Sequence, residues 1–136
     1  MIAMAITSIL AAIAWPTYSS FIEGNKVDMA MSDITMIEMR IETYSATNQG
    51  FPPDLATIGV TKEDPWGNPY QYLNMDTVNG NGQKRKDHNL VPINTDYDLY
   101  SMGPDGASVG PLTAQASRDD IIRANNGEFI GEATDY

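Results

Sequence analysis

The chain has 136 residues, room for one modest core, and carries eight Lys plus Arg against eighteen Asp plus Glu, a net charge of −10. With a pI near 4.2 it would repel phosphate, which excludes nucleic acid as a general partner; the basic cluster Lys84-Arg85-Lys86 is too short to reverse that. There is no cysteine, so stability must come from packing or from a bound ion.

Met1 to Ile22 contains no charged residue. As a helix this span would measure about 33 Å at ~1.5 Å per residue, just enough to cross a bilayer. A cleavable signal peptide is the alternative, because Ala12-Ile13-Ala14 offers small residues after an apolar stretch. Against it, no Lys or Arg precedes the apolar run, and the helical pattern continues past Pro16. From Glu23 to Asn48 the apolar side chains fall at Val27, Ala30, Ile34, Ile37, Ile41 and Tyr44, the repeat of one helix face. The pattern therefore predicts one long helix: residues 1–22 are an apolar half suited to lipid or to a protein bundle, and 23–48 an amphipathic half belonging to a globular domain over 23–136. Pro16 removes a backbone donor, so a kink is expected there, with Gly24 a second soft point. The helix should end at Asn48-Gln49-Gly50, where Asn or Gly offers a left-handed cap before Phe51-Pro52-Pro53.

Asp54 to Ile58 suits a single helical turn closed by Gly59. Asp64-Pro65-Trp66-Gly67-Asn68-Pro69-Tyr70 reads as a rigid turn with an aromatic plug that delivers the chain into a strand at Tyr70 to Met75. A polar, exposed loop is expected from Asp76 to Asn89, then strands at Asp96 to Met102 and Asp120 to Arg123. Asn125-Asn126-Gly127 is a tight-turn tripeptide before a fourth, edge strand at Glu128 to Gly131. The predicted class is α+β: one long N-terminal helix packed on a small antiparallel sheet of three to four strands.

Enzymatic chemistry has little to stand on. His88 is the single histidine, lies in a charged stretch, and has no evident nucleophile nearby in sequence. Met29, Met31, Met36 and Met39 sit on the helix as packing residues, some facing neighbouring subunits or solvent. The loop from Ser101 to Asp120, punctuated by Gly and Pro, is the candidate for a specific ligand, because such a loop can offer carboxylates and carbonyls together to Ca²⁺. The alternative is that Asp105 only occupies a turn, where Asp and Gly are favoured for backbone reasons. Asp105-Gly106-Ala107-Ser108 is not an EF-hand.

Ile9-Leu10-Ala11-Ala12-Ile13-Ala14-Trp15-Pro16-Thr17-Tyr18 resembles the second half of the N-terminal helix of the type IV pilin superfamily. Asp64 to Tyr72, with Asp98-Leu99-Tyr100-Ser101-Met102-Gly103-Pro104-Asp105-Gly106 and then Asp120-Ile121, resembles the major pseudopilins of type II secretion systems. The prepilin peptidase signal and the glutamate near the mature N-terminus have no counterpart, so Met1 would fall within the mature helix; the stretch from Asp105 to Asp120 is longer than usual. The resemblance implies a pilin-like fold and a structural Ca²⁺ held by the carbonyl of Met102 with Asp105 and Asp120, Asp119 being a substitute for Asp120. It also implies a non-enzymatic subunit tethered to the bacterial inner membrane through residues 1–22, single-pass, with a periplasmic domain. Such a subunit forms a homopolymeric helical filament, with minor pseudopilins and inner-membrane components of the secretion machine as partners. Two alternatives remain open: a type IV pilin for adhesion or motility, which the lack of cysteine disfavours, and a non-polymerising, membrane-anchored calcium-binding module.

Overall fold

A computed structural model describes residues 2–136, with side chains described from Tyr18 onward. Helix α1 runs over Ile2–Asn48, 47 residues, without a break at Gly24. The side chains up to Thr17, which carry most of the expected apolar span 1–22 and the kink expected at Pro16, lie outside the described side chains. Among the described residues, no helix is long and apolar enough to cross a membrane. At the C-terminal end Gln49, rather than Asn48 or Gly50, takes the left-handed conformation (φ 57°), and its amide donates to the Ser45 carbonyl at 3.0 Å.

Four strands follow: β1 (Gln71–Asn74), β2 (Tyr97–Ser101), β3 (Ile121–Ala124) and β4 (Phe129–Glu132). They form one antiparallel sheet in the order β1-β2-β3-β4. Each lies within a residue of its expected position, because alternation and turn chemistry set both ends. Between β3 and β4 the tripeptide Asn125-Asn126-Gly127 turns with φ of 51°, 56° and 97°. Asp54 Oδ1 accepts from both the amide and the hydroxyl of Thr57 at 2.8 Å, which closes the short 3₁₀ turn Ala56–Ile58, and Gly59 ends it with φ 71°.

The predicted helical stripe is the one that meets the sheet. Ala30, Ile34, Ile37 and Ile41 are buried against Tyr70, Tyr97, Leu99 and Ile121, flanked by Val27, Phe51, Trp66 and Tyr72. Alternate residues of the strands face the other way, where Ile122 and Ala124 pack with Ile93, Leu112 and Ala133 in a second cluster. The C-terminal residues close this second cluster: the Phe129 and Tyr136 rings lie 5.2 Å apart, and the Tyr136 hydroxyl donates to Asn125 Oδ1 at 2.7 Å.

The inner face also holds a charged clamp. Arg123 points towards α1, its Nε donating to Glu38 Oε1 at 2.6 Å and its two terminal nitrogens to Asp96 at 2.9 and 2.8 Å. The guanidinium lies 4.1 Å from the Tyr97 ring centre. Gly127 favours glycine here, because its φ of 97° strains any other residue and a Cβ would also stand 2.3 Å from Glu38 Oε1. Asp33 on α1 likewise accepts from the Tyr70 hydroxyl at 2.9 Å and from Lys62 at 2.6 Å.

Candidate functional site at the loop after the second strand

The two sequence motifs that carried the resemblance meet in space. Asp64 is buried and organises its turn by accepting the amides of Trp66 and Asn68 on Oδ1, at 3.0 and 2.8 Å. Its other oxygen accepts the Ser101 hydroxyl at 2.5 Å, and Ser101 Oγ in turn accepts the Gly103 amide at 3.1 Å. Asn68 Nδ2 donates to the Gly103 carbonyl at 3.2 Å, and its amide group is 3.1 Å from where a Cβ on Gly106 would sit. The aromatic plug between them is half-buried, and its indole Nε1 donates to Glu23 Oε2 on α1 at 2.9 Å. The first motif therefore braces the start of the loop that follows β2.

The loop is pinched at its neck. Gly103 (φ 64°) lies so close to Asp119 that a Cβ would stand 2.1 Å from the Asp119 carbonyl oxygen, an approach open only to glycine. Asp119 Oδ2 accepts the Asp105 amide at 3.2 Å, and Asp105 Oδ1 accepts the Ala107 amide at 2.8 Å. The structure thus brings Asp105 and Asp119 together, with half-buried Met102 beside Gly103 at the same neck. Asp105 is exposed, Asp119 half-buried and Asp120 fully buried. Among the described residues, no three His, Asp or Glu side chains are grouped so as to hold a metal ion.

Asp120 turns inward, onto Arg85. Arg85 Nη2 donates to Asp120 Oδ2 at 2.5 Å, Nη1 donates to Ser108 Oγ at 2.5 Å, and Ser108 Oγ donates to the same Asp120 oxygen at 2.6 Å. The Arg85 guanidinium lies 4.1 Å from the Tyr100 ring centre, and its own amide donates to Asp98 Oδ2 at 2.9 Å. Asn94 Nδ2 donates to the second Asp98 oxygen at 3.0 Å. The stretch from Asp76 to Asn89 is largely exposed as expected, with Arg85 its buried exception. Its backbone explains why: Lys86 pairs with the loop through Lys86 N to the Gly110 carbonyl (3.0 Å) and Leu112 N to the Lys86 carbonyl (2.9 Å). An extended segment sends alternate side chains to opposite sides, so Arg85 goes in while its lysine neighbours stay at or near the surface. Burial pushes the Asp98 and Asp120 carboxyls above the ordinary Asp value, against the opposing hydrogen bonds and the Arg85 charge. Among the described residues, Asp120 Oδ1 and Arg85 Nε have no hydrogen-bond partner.

His88 stands apart from this cluster, exposed, with its Nδ1 2.8 Å from the neighbouring Asp87 carboxylate. Sequence reading passed over Arg85 because it sits inside a basic triplet next to a Gly- and Asn-rich tract. The available signal was Asp98, a charge on the strand pattern that needs a partner once buried.

No protein-family model matches the chain, and no solved structure matches it. Two curated proteins do. The type II secretion system core protein G of Pseudomonas aeruginosa is 29% identical over 132 aligned positions, covering 81% of this chain and 82% of that protein. The type II secretion system core protein G of Aeromonas hydrophila is 27% identical over 151 positions, covering 95% of this chain and 90% of that protein. Over most of its length, and with a pilin-like arrangement of one long helix on an antiparallel sheet, the chain is similar to the core protein G of type II secretion systems.

Proposed function

We propose that this chain is a structural subunit of a type II secretion pseudopilus, polymerising through its N-terminal helix to drive protein export across the outer membrane. The observation that carries the reading is a second apolar face on α1. Tyr18, Phe21, Met29, Met36 and Met39 are all exposed. At ~100° per residue, Tyr18, Met29 and Met36 share one direction to within ~20°, and Phe21 and Met39 lie ~60° to one side. That stripe stands on the far side of the helix from Ala30, Ile34, Ile37 and Ile41, which the sheet already covers. A helix with apolar residues on both sides suits a subunit whose outer face is covered by copies of itself. The similarity to core protein G of two bacteria supports the same reading. In it, residues 1–22 anchor the subunit in the inner membrane before assembly, the domain lies in the periplasm, and minor pseudopilins and inner-membrane components of the machine are its partners.

The test is assembly. The complete precursor, expressed with its peptidase and secretion machinery, should give long thin filaments by electron microscopy. A folded, membrane-held protein that never forms filaments under those conditions would favour an anchored, non-polymerising module.

A further inference from the structure

The loop between β2 and β3 carries the carboxylates that the resemblance would give to calcium, yet the chain brings its own cation to them. Asp120 Oδ2 is held by Arg85 Nη2 at 2.5 Å and by the Ser108 hydroxyl at 2.6 Å. Asp119 Oδ2 accepts the Asp105 amide and Asp105 Oδ1 accepts the Ala107 amide, at 3.2 and 2.8 Å. Calcium needs six to eight oxygens around it. Here one oxygen of each of the three loop carboxylates is already engaged, and no metal-holding group of acids forms among the described residues. The oxygen without a partner, Asp120 Oδ1, is buried. An ion placed there would share one carboxylate with the guanidinium, setting two cations close together in a site of low dielectric.

We infer that the Arg85 guanidinium is the resident cation of this loop, taking the Asp120 carboxylate that a calcium ion would otherwise hold, and that the domain is stable without bound calcium. This goes beyond the proposed secretion role and does not depend on it. The geometry gives Arg85 the reach that the task requires. Its backbone is tied to Asp98 of β2 by the 2.9 Å hydrogen bond from its amide, and its fork spans Ser108 in the loop and Asp120 at the entry to β3. The Tyr100 ring covers one face of the guanidinium. A planar fork can bridge two acceptors in this way, where an ammonium would act as a single point charge. The long loop is thereby stapled at Ser108, part-way round, as well as at its Gly103–Asp119 neck.

The full chain should show the same thermal midpoint in 1 mM CaCl₂ and in 1 mM EGTA, to within ~1 °C, and no heat of calcium binding in a calorimeter. A midpoint raised by more than ~2 °C in calcium, or a measurable binding heat, overturns the inference. Arg85→Met should lower the midpoint by about 10 °C or more, equally in calcium and EGTA, and should speed exchange of the Val109 and Lys86 amides, which are hydrogen-bonded across this loop. An Arg85→Met chain that melts with the wild type overturns it as well. Should that variant not fold, Ser108→Ala serves instead: a smaller fall, unaffected by calcium, is expected, and a fall that calcium restores contradicts the assignment.

Discussion

Helix α1 meets two surroundings, and it meets them with different side chains. The face against the sheet is Ala30, Ile34, Ile37 and Ile41, all buried. The opposite face is Tyr18, Phe21, Met29, Met36 and Met39, all exposed. β-Branched isoleucines have few rotamers and pack well against a surface that is fixed in advance. Methionine has three rotatable bonds and a polarisable sulfur, which suits a partner that must slide into place. The difference teaches that one helix presents two apolar faces: the inner one builds the domain, and the outer one is the face that the proposed function gives to assembly.

The inner face should be the costly one to disturb. Arg123→Met is expected to have the largest effect, about 3–5 kcal/mol lost in chemical denaturation, because Glu38 and Asp96 would be left close together without their cation. A loss under ~1 kcal/mol would show that the clamp is incidental to the docking of α1. Ile34→Ala should follow at about 3 kcal/mol, set by a cavity against Tyr97 and Leu99. Gly103→Ala tests the loop in place of the helix; the Asp119 carbonyl would have to move, and a loss of about 2–3 kcal/mol is expected from the clash together with the strained φ. A silent Gly103→Ala would mean the neck is looser than its geometry implies.

The smallest effects separate buried from exposed carboxylates. Burial first, opposed by the Arg85 amide and Asn94, raises the Asp98 pKa above the ordinary 3.8, whereas the Thr57 amide and hydroxyl lower that of exposed Asp54 below 3.8. The signs are therefore opposite. Asp54, depressed in the folded chain, adds stability above the unfolded value that is lost as pH falls through its folded value. Asp98, raised, contributes most when protonated, and that contribution is lost as pH rises through its folded value. Carboxyl carbon titration by NMR should find Asp54 titrating below Asp98; the reverse order would break the assignment of burial as the dominant cause.

Much of the fold was legible because it rests on local rules. The stripe from Val27 to Tyr44 follows the helical period, and the strands follow alternation between turn residues such as Asn125-Asn126-Gly127. Gly59 was legible as a cap, but the left-handed Gln49 was not, since glutamine carries no preference for that conformation. The loop neck was legible only through family motifs, and their coupling through Asp64 and Ser101 depends on contacts 37 residues apart in sequence. Arg85 was illegible for a related reason. Its partner Asp120 is 35 residues away, and nothing local distinguishes it from the lysines on either side.

The two faces of α1 can be set against each other in one measurement. A Met39→Glu substitution places a charge on the exposed face, where the side chain is 66% accessible, and touches nothing in the core. The Met39→Glu domain should unfold within about 0.5 kcal/mol of the wild type, yet yield no filaments when the precursor is expressed with the peptidase and secretion machinery. Filaments formed at wild-type density by a folded Met39→Glu chain would contradict it.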